Sequence, residues 1–339
     1  MRQLVITGSG EVVLKDRPSP TLEGKAPGAI IKATHTMIGA GSNIDDVINR
    51  RKEPDPKAED KVISYQVAGV IKEVTPGLKG FKAGDAVCCP GGGFAHSAEE
   101  VFIPVHLLAK LSGPELCEAG ATVNLACTGL HACRRGRSTL GEWNLVVGLG
   151  MVGQFTAQFA KLFGANVIAS DISPMRIERA RQCGIEHVYN PTEIDLAEKV
   201  NELTDGHGAD VALIAAKSKD ESLFQSVEKM TNNWTGRIVI MGLLPVSRPI
   251  GLDSEILMCG GCGWGWRDMH YKRDGNPYPK AYVRWSTDRN IQLFADLLSA
   301  GKLTTEPLIT HRAPAEKAND AYTQLIEHPD ETLGVIIEF

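Results

Sequence analysis

The sequence has no long hydrophobic run: no apolar stretch approaches the about eighteen residues that a bilayer-spanning helix needs. The N-terminus MRQLVITGSGEVV turns polar too soon for a secretory signal, so a cytoplasmic protein with no membrane partner is expected. Strong charge of one sign is also absent, with 36 Lys and Arg against 41 Asp and Glu and a net charge of −5. That balance exerts no general pull on nucleic acid. Basic runs are short, and the clearest, Arg134-Arg135-Gly136-Arg137, reads as a solvated helix end. There is no internal repeat and no low-complexity tract, which excludes solenoids and disordered arrays. Cysteine is present eight times but poorly arranged for metal. Cys88 and Cys89 are adjacent, and Cys259 and Cys262, read as lying on a late strand, have no second pair or nearby histidine at metal spacing. These are expected to be reduced core thiols, as are Cys127, Cys133 and Cys183.

What is present is an ordinary globular balance, 43% hydrophobic and 23% charged, in 339 residues. That length accommodates roughly two domains of about 150 residues. The first hundred or so residues read as short strands separated by Gly, Pro and Asp turns, among them Leu4–Ile6, Ala29–Ala33, Val62–Val74, Asp85–Cys89 and Val101–Ile103. From about residue 142 strands alternate with amphipathic helices, the pattern of a doubly wound parallel sheet. After about Asp253 short strands and a helix return, ending in the apolar Val335–Ile337. The expected architecture is α/β with a discontinuous first domain: residues 1–120 and 276–339 form a β-rich domain, and 121–275 a nucleotide-binding domain.

Within the alternating region, Gly148-Leu149-Gly150-Met151-Val152-Gly153 follows the strand Leu145-Val146-Val147 and opens a helix. This is G-x-G-x-x-G in the context that gives it meaning. Gly148 serves the tight turn, Gly150 lets backbone amides approach a pyrophosphate, and Gly153 lets helix and strand pack closely. Asp171 ends the next strand, where a carboxylate can accept from both ribose hydroxyls and repel a 2′-phosphate. NAD is therefore favoured over NADP, although Arg176 and Arg179 lie close enough to complicate that choice. The bland alternative is a glycine turn with Asp171 capping the next helix. Thr128, Ile172, Ala215, Met241 and Gly242, with Leu149, Met151, Val152 and Arg176, are expected to line the same cofactor.

The chain resembles the medium-chain dehydrogenase/reductase superfamily. The resemblance rests on "GFKAGDAV" (80–87), "EEVFIPV" (99–105), the stretch 146–184 around the glycine turn, and "LLSAGKLTTEPLITHRAPAEKANDAYTQL" (297–325). It implies a GroES-like catalytic domain, a Rossmann nucleotide domain, a cleft where hydride passes to the nicotinamide, and a homodimer or homotetramer. Zinc-bearing members carry Cys, His-Glu and Cys or Glu ligands. Here those positions fall on Ala40-Gly41-Ser42-Asn43, Tyr65-Gln66 and Asn124. Zinc needs about three thiolate, imidazole or carboxylate ligands, so no metal is expected. Stretches such as "HTMIGAGSN" and "ISYQVAGVI" look like a zinc-free branch found in carbohydrate and cyclitol pathways.

Without zinc, hydride transfer still needs an acid, a base or an oxyanion stabiliser. The candidates are Tyr65, Ser42 and Asn124, with Gln66 and His96 on the substrate. Tyr65 either handles the proton or fills the hole left by the metal, and His96 either touches substrate or lies on the surface. Six of the twenty aromatics fall between Trp264 and Trp285. Either they stack on a sugar or polyol, with Trp264 and Trp285 as contacts, or they form a subunit interface. The reading is a zinc-independent NAD dehydrogenase of a sugar, cyclitol or polyol. The rivals are an NADPH-type enone or quinone reductase, an epimerase or lyase that uses bound NAD transiently, and a non-catalytic nucleotide sensor.

Overall fold

The strand–helix alternation builds a parallel sheet in the order 187–189, 166–170, 143–147, 211–214, 237–240, 255–258. The computed structural model describes residues 1–39, 43–246 and 255–339. The chain divides into two compact units, residues 1–127 with 262–339, and residues 128–261. The parallel sheet belongs to the second unit. Its central strands Trp143–Val147, Val211–Ile214 and Arg237–Ile240 are almost wholly buried, which explains their unbroken apolar runs. Chain order reverses beside the strand at 143–147, so its C-terminal end is the point at which such sheets bind nucleotides.

The first unit is a mixed sheet in the order 309–314, 334–338, 28–37, 66–74, 86–90, 109–110, with Glu100–Pro104 also on Gly28–Met37. A smaller sheet joins 12–16, 2–6 and 61–62. The last strand, Gly334–Glu338, pairs antiparallel with Gly28–Met37 and parallel with Ile309–Pro314. The end of the chain thus completes the sheet begun by its start. Leu4, Ile6, Val47, Tyr322, Val335 and Ile337 form one core of this unit. Ile31, Val67, Ile71, Val87, Val101 and Ile103 form another.

Three sequence expectations are corrected here. The stretch 62–74 is not one strand: Lys61–Val62 is a short edge strand, Ser64 makes an isolated bridge to His96, and a new strand starts at Gln66. Val62 is 38% exposed, so the apolar pattern there is not continuous core. The new strand runs close against its neighbour, since a Cβ on Gly69 would lie 2.1 Å from the Lys32 carbonyl oxygen. The unit boundaries also fall at 127/128 and 261/262 rather than 120/121 and 275/276. The helix Val123–Arg135 runs through the first of them. At the second, 262–275 is tied to the first unit, for instance by Thr287 donating to the Trp264 carbonyl at 2.8 Å. Finally, the strand near Cys259 ends at Met258, and neither Cys259 nor Cys262 lies on it.

Candidate active site

The second unit presents the glycine turn as a shaped backbone surface. Gly148 has φ +89°, and a Cβ there would lie 2.6 Å from the Ala216 amide nitrogen. A Cβ on Gly153 would lie 1.8 Å from the Gly148 carbonyl oxygen, so the helix is seated against the turn. Gly150, by contrast, faces open space. It is also the N-cap of Met151–Leu162 and supplies no side-chain cap. The first amides of that helix are therefore left for an anion. Gly242 closes the floor from the next strand, where a Cβ would meet the Ala216 carbonyl oxygen at 1.8 Å. Ala215 and Ala216 both donate to the Val147 carbonyl. Ala216 was not singled out from sequence because a lone alanine carries no signal. Met241 donates through its amide to the Ile214 carbonyl and accepts from Thr156 Oγ1 at 3.7 Å. Thr128 begins the second unit.

Asp171 is 7% exposed and tied into this turn. Its Oδ2 accepts from the Leu149 amide at 2.6 Å and lies 3.8 Å from Arg176 Nη1, while its Oδ1 accepts from the Ser173 amide at 2.9 Å. The helix Pro174–Gln182 is capped by Ser173, not by Asp171. The two oxygens keep lone pairs for further donors. Beside Asp171, Ile172 is 69% exposed. Gln154, which sequence reading passed over, is buried and donates through Nε2 to the Leu149 and Arg176 carbonyls, bracing the turn.

In the first unit Tyr65, Gln66 and Asn124 come together. Gln66 is 0% exposed: its Oε1 accepts from the Asn124 amide nitrogen at 2.8 Å, and its backbone carbonyl accepts from Thr36 Oγ1. Its Nε2 is buried with no partner among the described residues. Tyr65 hydrogen-bonds the Asn124 side chain, and burial pushes its phenol up to about 12. Cys262 is the member of this cluster that sequence reading missed. It is fully buried and donates to Asn124 Oδ1 at 3.3 Å. Ser42 lies outside the described residues.

The remaining candidates separate. His96 is half-buried, and burial lowers its pKa. It lines a cavity of about 690 Å³ with Phe94, Phe102, Lys25 and Glu100, and Tyr65, Gln66 and Asn124 are not part of that lining. Trp285 lines another cavity, of about 340 Å³, with Lys280, Arg284 and Arg289. Trp264 is 55% exposed. The aromatic run is partly framework: Tyr271 is 1% exposed and stacked 4.4 Å from His106 and 4.9 Å from Tyr278. Its hydroxyl donates to Asp288 at 2.7 Å, and that of Tyr278 donates to Asp268. Tyr271, buried and stacked on two rings, belongs to the framework. Among the described residues, His35, Glu118 and Glu338 form a group of metal-ligating type, but Arg312 binds both Glu118 oxygens at 2.6 and 2.9 Å.

Comparison with known proteins gives this geometry its context. Residues 151–260 match the family model of zinc-binding dehydrogenases. The sorbitol dehydrogenase of Halalkalibacterium halodurans is 30% identical over 245 residues, covering 63% of this chain and 69% of that enzyme. The chain belongs to the medium-chain dehydrogenase/reductase superfamily. As a medium-chain oxidoreductase it is also 26% identical over 353 residues to rat sorbitol dehydrogenase, covering 94% of this chain and 91% of that enzyme. Among solved structures, one described as a short chain alcohol dehydrogenase from E. coli, complexed with NADH, has a similar fold. It has a TM-score of 0.72 at 19% identity, over 100% of this chain and 99% of that one.

Proposed function

We propose that this oxidoreductase uses NAD, needs no zinc, and moves a hydride between a secondary alcohol of a polyol, sugar or cyclitol and the nicotinamide. The observation that carries the reading is the pair of donors at Tyr65 and Gln66. The phenol is kept protonated by burial, and a fully buried amide Nε2 has no protein acceptor among the described residues. A donor delivered from this cluster to the substrate oxygen can do for a carbonyl what a Lewis acid does in metal enzymes. The donors at this position do not fit a zinc ion. The Gln66 oxygen is engaged by the Asn124 amide, and the one thiol present donates to Asn124.

In the reducing direction the hydride adds to the carbonyl carbon and the Tyr65 hydroxyl supplies the proton to the oxygen. In the oxidising direction the alcohol loses its hydride to NAD, and its hydroxyl proton passes to a phenolate or to solvent. With a phenol near 12, oxidation should quicken as pH rises from about 7, whereas reduction should not. The test is NADH absorbance with a panel of polyols. Tyr65→Phe should cut turnover by about a hundredfold or more while NADH binding stays constant. Near-normal turnover would sink the role given to Tyr65.

The choice of NAD is supported by Asp171 beside the turn and by Arg176, which already faces that carboxylate. Replacing Asp171 with serine should raise the ratio of NADP to NAD efficiency by at least about tenfold, measured as kcat/KM with each cofactor.

A further inference from the structure

Lys272 is 7% exposed as a residue, and an ammonium so largely withdrawn from water ordinarily has an anionic or hydrogen-bonding partner. Its Nζ instead lies 5.8 Å from the Phe94 ring centroid and 5.4 Å from that of Trp266. Among the described residues it makes no ion pair or side-chain hydrogen bond. The carboxylates of its own segment are engaged elsewhere. Asp268 accepts from the His270 and Tyr271 amides and from Tyr278. Asp274 pairs with Arg273 and His270, and Asp288 accepts from Tyr271 and Ser286.

The ammonium is linked to the Tyr65–Asn124 cluster through Cys262, with which it interacts electrostatically, and through the loops that carry its two rings. Phe94 precedes Ala95, whose carbonyl accepts from the Tyr65 amide at 3.0 Å. The Trp266 amide donates to the Gly263 carbonyl at 3.3 Å, and Gly263 follows Cys262, the thiol that donates to Asn124. Each flanking loop therefore also holds part of the Tyr65–Asn124 site. Burial lowers the pKa of the Lys272 amine, and a bound anion would offset that.

We propose that Lys272 binds a carboxylate of the substrate, which makes the substrate a polyhydroxy acid rather than a neutral polyol. The proposal rests on reading the Tyr65 cluster as the hydroxyl-binding site. A single ammonium, with Arg273 already paired to Asp274, matches one negative charge better than the two of a phosphate monoester. The aromatic walls strengthen the ion pair by excluding water.

The test is calorimetric binding to the NADH-loaded enzyme, with aldonates set against the matching alditols: gluconate with sorbitol, galactonate with galactitol. The wild type should prefer an acid over its alcohol by at least about tenfold. Lys272→Met should abolish that preference while changing alditol affinity by less than about threefold, and Lys272→Arg should retain it. If the methionine variant folds poorly, Lys272→Gln serves the same comparison. No preference in the wild type, including no binding of either panel, overturns the proposal, and so does a preference that survives loss of the ammonium. Because binding is read without turnover, an enzyme that prefers acids yet oxidises no polyol would fail the dehydrogenase reading and leave Lys272 in its role.

Discussion

Tyr65 and Gln66 were legible as an anomaly, two polar residues where a ligand pair would stand, but not as a geometry. Nothing in the sequence shows that Gln66 accepts from the Asn124 amide, or that Cys262, more than a hundred residues later, donates to the same side chain. Such contacts depend on tertiary closure and leave no local pattern. The same holds for His131, 8% exposed, whose pKa falls to about 4 through burial and the charges of Arg135 and Arg134. In the folded protein the imidazole resists protonation. The unfolded chain takes up a proton near pH 6.5 and the native one only near 4, so stability is lost as pH falls between those values. The contribution is at most about 3 kcal/mol. His131→Leu should flatten the acid side of a plot of Tm against pH, in part only, because His35 and His96 are shifted the same way.

Elements were read more reliably than residues wherever both faces are buried. The strand Leu145-Val146-Val147 falls within the observed Trp143–Val147, and the helix expected to open at the glycine turn is Met151–Leu162. The reading failed where a strand lies at a sheet edge: Val62 sits among hydrophobic neighbours in sequence but is exposed, and the chain breaks before Gln66. The glycine turn allows a test at this scale. In an exposed helix, Gly→Ala gains about 1 kcal/mol of helix propensity. At Gly153 the added Cβ would lie 1.8 Å from the Gly148 carbonyl oxygen, and relieving that clash costs about 1–3 kcal/mol. Gly153→Ala should therefore lower the Tm and weaken NADH binding together, measured by scanning calorimetry and nucleotide fluorescence. An unchanged Tm would mean that the helix moves aside without cost.

At the scale of the whole molecule, the sequence conveyed a discontinuous β-rich unit around a doubly wound insertion. It misplaced the junctions, because aromatic and glycine-rich residues after Cys262 look like a loop of either part. Among the described residues, no helix is long and apolar enough to cross a membrane. The last strand, Gly334–Glu338, carries a consequence for how the protein is made. Its partners His35–Met37 leave the ribosome about three hundred residues earlier; Gly28–Lys32 can pair with Glu100–Pro104 long before, but His35–Met37 must wait for the last strand. The contiguous unit 128–261 can fold first, so the first unit matures last although its synthesis starts first. A chain truncated before residue 334 should bind NADH weakly yet leave His35–Met37 open to protease, and restoring Gly334–Glu338 should protect that segment.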